Sequence, residues 1–131
     1  MVTHIADKSG LILEFPFTTP SLNKFYAGIN PFARSKAVKK LKQDIQWLLI
    51  SKGIRQGSYP FGDRKVDVTA ICCFKDNTRR DVDNYFPKPI IDALKGFVIK
   101  DDDQRYISSC TVRIKSGSRE NKTVIILTEA S

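Results

Sequence analysis

Apolar residues recur along this chain with two different periods, and the changes between them mark out its elements. In LILEFPF (residues 11–17) Leu11, Leu13 and Phe15 fall on one side, the period-two pattern of a strand. TTPSLNKFYAGINP (18–31) is rich in turn formers and reads as an ordered loop. From about Phe32 to Ser51 the period lengthens: Val38, Leu41, Ile45, Leu48 and Leu49 recur at helical spacing. Lys36, Lys39, Lys40, Lys42 and Gln43 cover the opposite side of that helix, and Gly53 supplies its stop. SKGIRQGSYPFGDR (51–64) reads as a loop, and KVDVTAICCF (65–74) returns to strict alternation as a second strand. KDNTRRD then turns, and a second helix is expected from about Pro87 to Leu94, ended by Gly96. Pro87 and Pro89 cost little in a first turn, where backbone N–H groups have no helical partner. RYISSCTVRIKSG alternates through Tyr106, Ser108, Cys110, Val112 and Ile114, KTVIILTEA is β-branched and apolar, and SGSREN between them reads as a hairpin loop. The order β-α-β-α-β-β predicts an α+β fold, a single domain over residues 1–131 with a mixed or antiparallel sheet of about four strands and two main helices.

Composition narrows the class. A chain of 131 residues, 41% hydrophobic and 27% charged, suits one globular domain with its own core. No apolar run approaches the roughly 18 residues of a membrane span, and MVTHIADKSG lacks the basic-then-apolar pattern of a signal peptide. A cytoplasmic protein without a membrane partner is expected. Cys72, Cys73 and Cys110 have neither disulfide-framework nor zinc-ligand spacing and read as small apolar strand residues. His4 is the only histidine, which argues against a histidine triad or a histidine general base.

Charge changes the picture. The net charge of +8 suits a polyanionic partner, yet six of the fourteen acidic residues lie between residues 79 and 104: Asp81, Asp83, Asp92, Asp101, Asp102 and Asp103. In extended backbone Asp81 and Asp83, two apart, would point the same way, and their ionised forms would repel unless a cation stood between them. Oxygen ligands without Cys or His suit Mg²⁺ or Mn²⁺, and Asp101 or Asp102 can return to the same place. An ion so held can bind a phosphate oxygen and activate water, which matches phosphodiester hydrolysis. A structural reading stands beside this one: Asp83 or Asn84 can cap the second helix, and Asp101–Asp103 can form a turn.

RRDVDN (79–84), then Lys88, then DALKGFVIKDDDQ (92–104) closely resemble the signature of the RusA-like Holliday junction resolvases. TPSLNKFYAG (19–28) is similar to that family's N-terminal segment, and the resemblance runs from about residue 11 to 128. Three departures are visible: Asn84 and Lys88 stand one residue further apart than in the best-known members, Pro87 and Pro89 flank the lysine, and Arg105 stands where an apolar residue often follows the glutamine. The resemblance implies a homodimeric, Mg²⁺-dependent endonuclease that binds four-way junctions in double-stranded DNA and nicks two strands symmetrically, with no small-molecule substrate. Carried over by position, it implies Asp81, Asp83 and Asp102 as metal-binding and catalytic carboxylates and Lys88 as the active-site lysine. It further implies Arg79, Arg80, Asn23, Lys24 and Lys88 as DNA contacts. Asp92 reads as a first-turn carboxylate favoured by the helix dipole, with metal ligation as its alternative, and Asp101 and Asp103 read as turn residues or as neighbours that support the metal ligands. The lysines of the first helix read either as a DNA-tracking surface or as a solvated face, and Trp47 as core or dimer interface. Two other readings are open: a basic DNA- or RNA-binding protein without catalysis, and a nuclease of flaps or other branched DNA.

Overall fold

In the computed structural model residues 2–4, 10–18, 30–85 and 87–130 are described, except for the side chains of residues 2–4 and of Asp83. The strands are β1 (Val2–His4), β2 (Gly10–Phe15), β3 (Val66–Cys73), β4 (Ile107–Lys115) and β5 (Lys122–Glu129). The helices are α1 (Pro31–Ser51) and α2 (Lys88–Leu94), with a 3₁₀ turn at Val82–Asn84. The sheet is mixed, in the order β1-β2-β5-β3-β4: β3 and β4 are parallel and every other pair is antiparallel. The α+β architecture and the expected order are present, with β1 as an additional short edge strand.

α1 starts where the local chemistry allows it. The Asn30 side chain accepts the Ala33 N–H at 2.8 Å, and Pro31 occupies the first helical position. Its far end closes on Gly53 at φ +88°, a left-handed conformation that glycine adopts without a Cβ penalty. Ile45 and Leu49 are buried, and Leu41 and Leu48 pack beside them. On the covered face of the sheet they meet Leu11, Leu13, Val68, Ile125 and Leu127. Each such side chain contributes about 1.5–3 kcal/mol by leaving water. α2 adds Ile90, Ala93 and Leu94 to the same core, and Trp47 is not part of it, being 71% exposed.

One connection departs from expectation. The 116–121 segment is not a hairpin, because β3 lies between β4 and β5. The segment instead arches over the end of β3. Lys115 accepts the Phe74 N–H at 2.8 Å, Ser118 N–H donates to the Phe74 carbonyl at 2.9 Å, and Asn121 Oδ1 accepts the Lys75 N–H at 2.8 Å. β3 and β5 alternate with buried residues and take central places, whereas β4 has no fully buried residue and forms an edge. Cys72 and Cys73 are buried on β3, and Cys110 is exposed on that edge. All three thus lie on strands, as read from the sequence, and Cys110 differs from the other two in being exposed.

Candidate active site

The crossover from the end of β3 to the start of β4 carries all six acidic residues of the 79–104 stretch. Its two halves are built differently.

The first half is braced by Arg80. Its two terminal nitrogens donate to Asp76 at 2.8 and 3.2 Å, and its guanidinium lies 3.7 Å from the centroid of the Phe74 ring. Tyr85 packs edge-on against the same ring. Hydrogen bonds from Arg80 and from the Thr78 backbone N–H lower the Asp76 carboxyl from 3.8 to about 2. The backbone is extended at Asp81 and then tightens into the 3₁₀ turn at Val82–Asn84. The extended backbone assumed for both aspartates therefore holds at Asp81 and gives way to a 3₁₀ turn at Asp83. Asp81 is exposed and lines a depression of about 420 Å³ with Arg79, Arg80, Asn84 and Tyr85. α2 begins at Lys88 with Pro87 in its N-cap position, so neither Asp83 nor Asn84 stands there. The Asp83 side chain, Asn23 and Lys24 lie outside the described residues.

The second half opens onto a cleft of about 700 Å³ between α1 and α2. Arg34, Lys39 and Lys42 line it from α1; Lys88, Asp92, Lys95 and Asp102 line it from the other side. Five cationic side chains thus face two carboxylates, which favours an anionic occupant. Lys95 Nζ stands 3.6 Å from Oδ1 of both Asp101 and Asp102, and Lys88 Nζ 3.7 Å from Asp92. Burial pushes the Asp102 carboxyl up, but the Lys95 charge beside it outweighs this and holds it below the usual carboxylate value. Reciprocally, Asp102 first, with Asp101 and Asp92, raises the Lys95 ammonium against its desolvation. Asp101 accepts the Asp102 N–H at 2.8 Å, and Asp103 accepts the Arg105 N–H at 2.9 Å and its guanidinium at 2.8 Å. Both make the local hydrogen bonds of turn residues, Asp101 also stands beside Lys95, and Asp102 between them lines the cleft.

Asp92 is placed differently from expectation. It is the fifth residue of α2, past the first turn, so a dipole interaction does not explain it. Its surroundings do: Lys88, Asp92 and Lys95 lie at i, i+4 and i+7, one helical face, and that face is the cleft wall. The same spacing in the sequence was the signal available for it.

Among the described residues no group of three or more Asp, Glu, His or Cys side chains is close enough to hold one metal ion, and Asp81 is not in the lining of the cleft. The donor set around Asp102 nevertheless fits a hard divalent cation. It consists of carboxylate oxygens alone, and it already draws an ammonium between two of them.

A family model described as Endodeoxyribonuclease RusA matches residues 17–128, a span that includes both halves of the crossover, α1 and all but the first part of the sheet. No curated protein matches the chain closely. Among the described residues no helix is long and apolar enough to cross a membrane.

Proposed function

The chain belongs to the RusA family of Holliday junction endodeoxyribonucleases, and from that premise we propose that it resolves four-way DNA junctions by paired, symmetric phosphodiester hydrolysis that depends on Mg²⁺, with Mn²⁺ as substitute. The observation that carries the reading is the cationic cleft with Asp102 and Asp92 in its wall. Asp81, Asp83 and Asp102 are the proposed ligands, with Asp92 beside Asp102. When bound, the ion supplies Lewis acidity toward a phosphate oxygen and lowers the pKa of water.

The chain's own residues bind and position. Lys88 is 58% exposed, held near Asp92 and on the cleft wall, where its charge meets the charge that develops on the phosphate. Arg79 is exposed and contacts the DNA backbone. Arg80, with its charge shared with Asp76, contributes to DNA binding mainly by holding the segment that presents Arg79 and Asp81. Asn23 and Lys24 complete the DNA contacts. The whole chain, residues 1–131, acts as one domain, in the cytoplasm and as a homodimer. A two-fold junction needs two matched cuts, and a C2 dimer supplies two sites by symmetry. Trp47, exposed on α1, is a candidate contact for the second copy.

The test is to incubate synthetic four-way junctions with Mg²⁺ and compare the native chain with Asp81→Asn and Asp83→Asn. Paired nicks are expected from the native chain and their loss from both variants, with junction binding retained. Cutting that survives both substitutions overturns the assignment. Binding without any cutting leaves a non-catalytic nucleic-acid-binding protein, and a preference for flaps over four-way junctions makes it a different branched-DNA nuclease.

A further inference from the structure

α1 carries two rows of lysines, and only one of them faces the acidic wall. At 3.6 residues per turn, Lys39, Lys42 and Gln46 (i, i+3, i+7) fall within roughly 60° of one another, while Lys36 and Lys40 lie about 60° and about 100° beyond Lys39 on the side away from Lys42. Gln46 fixes which way the first row points: its side-chain amide donates to the Ala93 carbonyl of α2 at 3.4 Å. Toward the start of α1 the same row stands away from α2, and there Lys39 and Lys42 line the cleft opposite Lys88 and Asp92. Lys36 and Lys40 are absent from that lining, and Lys40 turns to Asp44 at 3.3 Å. Pro31 also lines the cleft, so the positive end of the α1 dipole adds to the charge of the two lysines, with no acidic residue in the first turn to offset it.

Two carboxylates repel an incoming phosphodiester, so a chain that cuts DNA there needs positive charge placed to hold the strand against that repulsion. We propose that Lys39 and Lys42 bind the backbone phosphates flanking the scissile one, so that the strand to be cut runs between α1 and α2. The inference rests on the endonuclease reading above and extends it: it separates two DNA-facing lysines from two solvated ones on the same helix. Lys39 and Lys42 are binding and positioning residues, and the chemistry stays with the opposite wall.

The test compares two double variants of equal charge, Lys39→Gln/Lys42→Gln and Lys36→Gln/Lys40→Gln, after thermal melts show both folded. Binding of a four-way junction is measured in EDTA over a series of salt concentrations, and nicking is measured with Mg²⁺ at subsaturating enzyme. Because each phosphate contact contributes about 0.9 to the slope of log K against log salt, the cleft variant should lose about 2 from that slope and the other variant little. Nicking should fall at least about tenfold in the cleft variant and stay within about twofold in the other, the pattern of contacts that neutralise backbone charge. Equal losses in both variants, or an unchanged slope in the cleft variant, overturn the proposal. The two readings fail differently: a native chain that binds the junction but never cuts it refutes the endonuclease, while the salt slopes still decide the role of the two lysines.

Discussion

Arg80 and Lys95 both neutralise acidic residues of the β3–β4 crossover, and they do so in opposite ways. Arg80 meets Asp76 through two hydrogen bonds at 2.8 and 3.2 Å, stands 3.7 Å over the centre of the Phe74 ring and is only 15% exposed. Lys95 is shared between Asp101 and Asp102 at 3.6 Å each and is 40% exposed. A bidentate guanidinium on a ring has one geometry, whereas a single ammonium at that distance exchanges readily with water or another cation. The difference separates scaffold from site. The Arg80 half sets where the chain goes, and the Lys95 half holds a cluster of carboxylates beside a charge that the proposed divalent ion would displace.

The largest expected effect comes from the displaceable half. Asp102→Asn removes a proposed ligand and the main partner of Lys95. Junction nicking should fall by more than about 100-fold, since even outer contacts of a metal site cost 10–100-fold. Quantitative nicking assays across a Mg²⁺ series check it, and a variant within tenfold of the native rate breaks the division drawn here. Next in size is Arg80→Gln, which unpins Asp76 and uncovers Phe74. Its melting temperature should drop by several degrees and nicking with it, while junction affinity changes less than in Arg79→Gln. A loss of affinity in Arg80→Gln as large as in Arg79→Gln would make Arg80 a direct DNA contact. Smaller again is Lys95→Met. With its resident cation gone, the cluster should bind Mn²⁺ more tightly, on the order of fivefold, the scale of an exposed ion pair. Titration calorimetry reads that change, and weaker Mn²⁺ binding would show that Lys95 shapes the ligand set and does not compete for it.

The same contrast accounts for how far the sequence could be read. The helix ends were legible to within a residue because they depend on near neighbours: Gly53 closes α1 and Pro87 precedes α2 as expected, whereas Asn30 and Pro31, read as the end of the preceding loop, open α1. The sheet order was not. Alternation says that a strand has an inner face, and nothing in SGSREN announces that β3 will slide between the strands it joins. In the candidate site, Asp102, singled out by the DDDQ motif, lines the cleft, and its two neighbours make local hydrogen bonds of the kind a turn needs. Asp92 was misread although the sequence itself argues against a first-turn place: counted from the expected start at Pro87 it is the sixth residue, and counted from Lys88 the fifth. Lys39 and Lys42 could not be told from Lys36 and Lys40, because helical spacing defines the rows but not the rotation of the helix. That rotation comes from a long-range contact, Gln46 to Ala93.

The finest test of the contrast is titration. The Asp76 carboxyl is lowered from 3.8 to about 2 by Arg80, so the pair's stabilisation is complete above the unfolded value and is lost as pH falls through about 2. Asp102 is also lowered, against its own burial, so its contribution too is present in neutral solution and lost on the acid side. Lys95 is raised, so its share is complete below the ordinary 10.5 and disappears as pH climbs past its elevated value. Carboxyl carbon shifts followed by NMR should therefore show Asp76 titrating near 2, returning toward 3.8 in Arg80→Gln and unmoved in Lys95→Met. Asp102 should do the reverse, rising in Lys95→Met, where burial is less opposed, and staying put in Arg80→Gln. Added Mg²⁺ should lower the Asp102 midpoint further without touching Asp76, because only one of the two cations gives way to a metal. A metal response at Asp76, or none at Asp102, would erase the distinction between the two halves of the crossover.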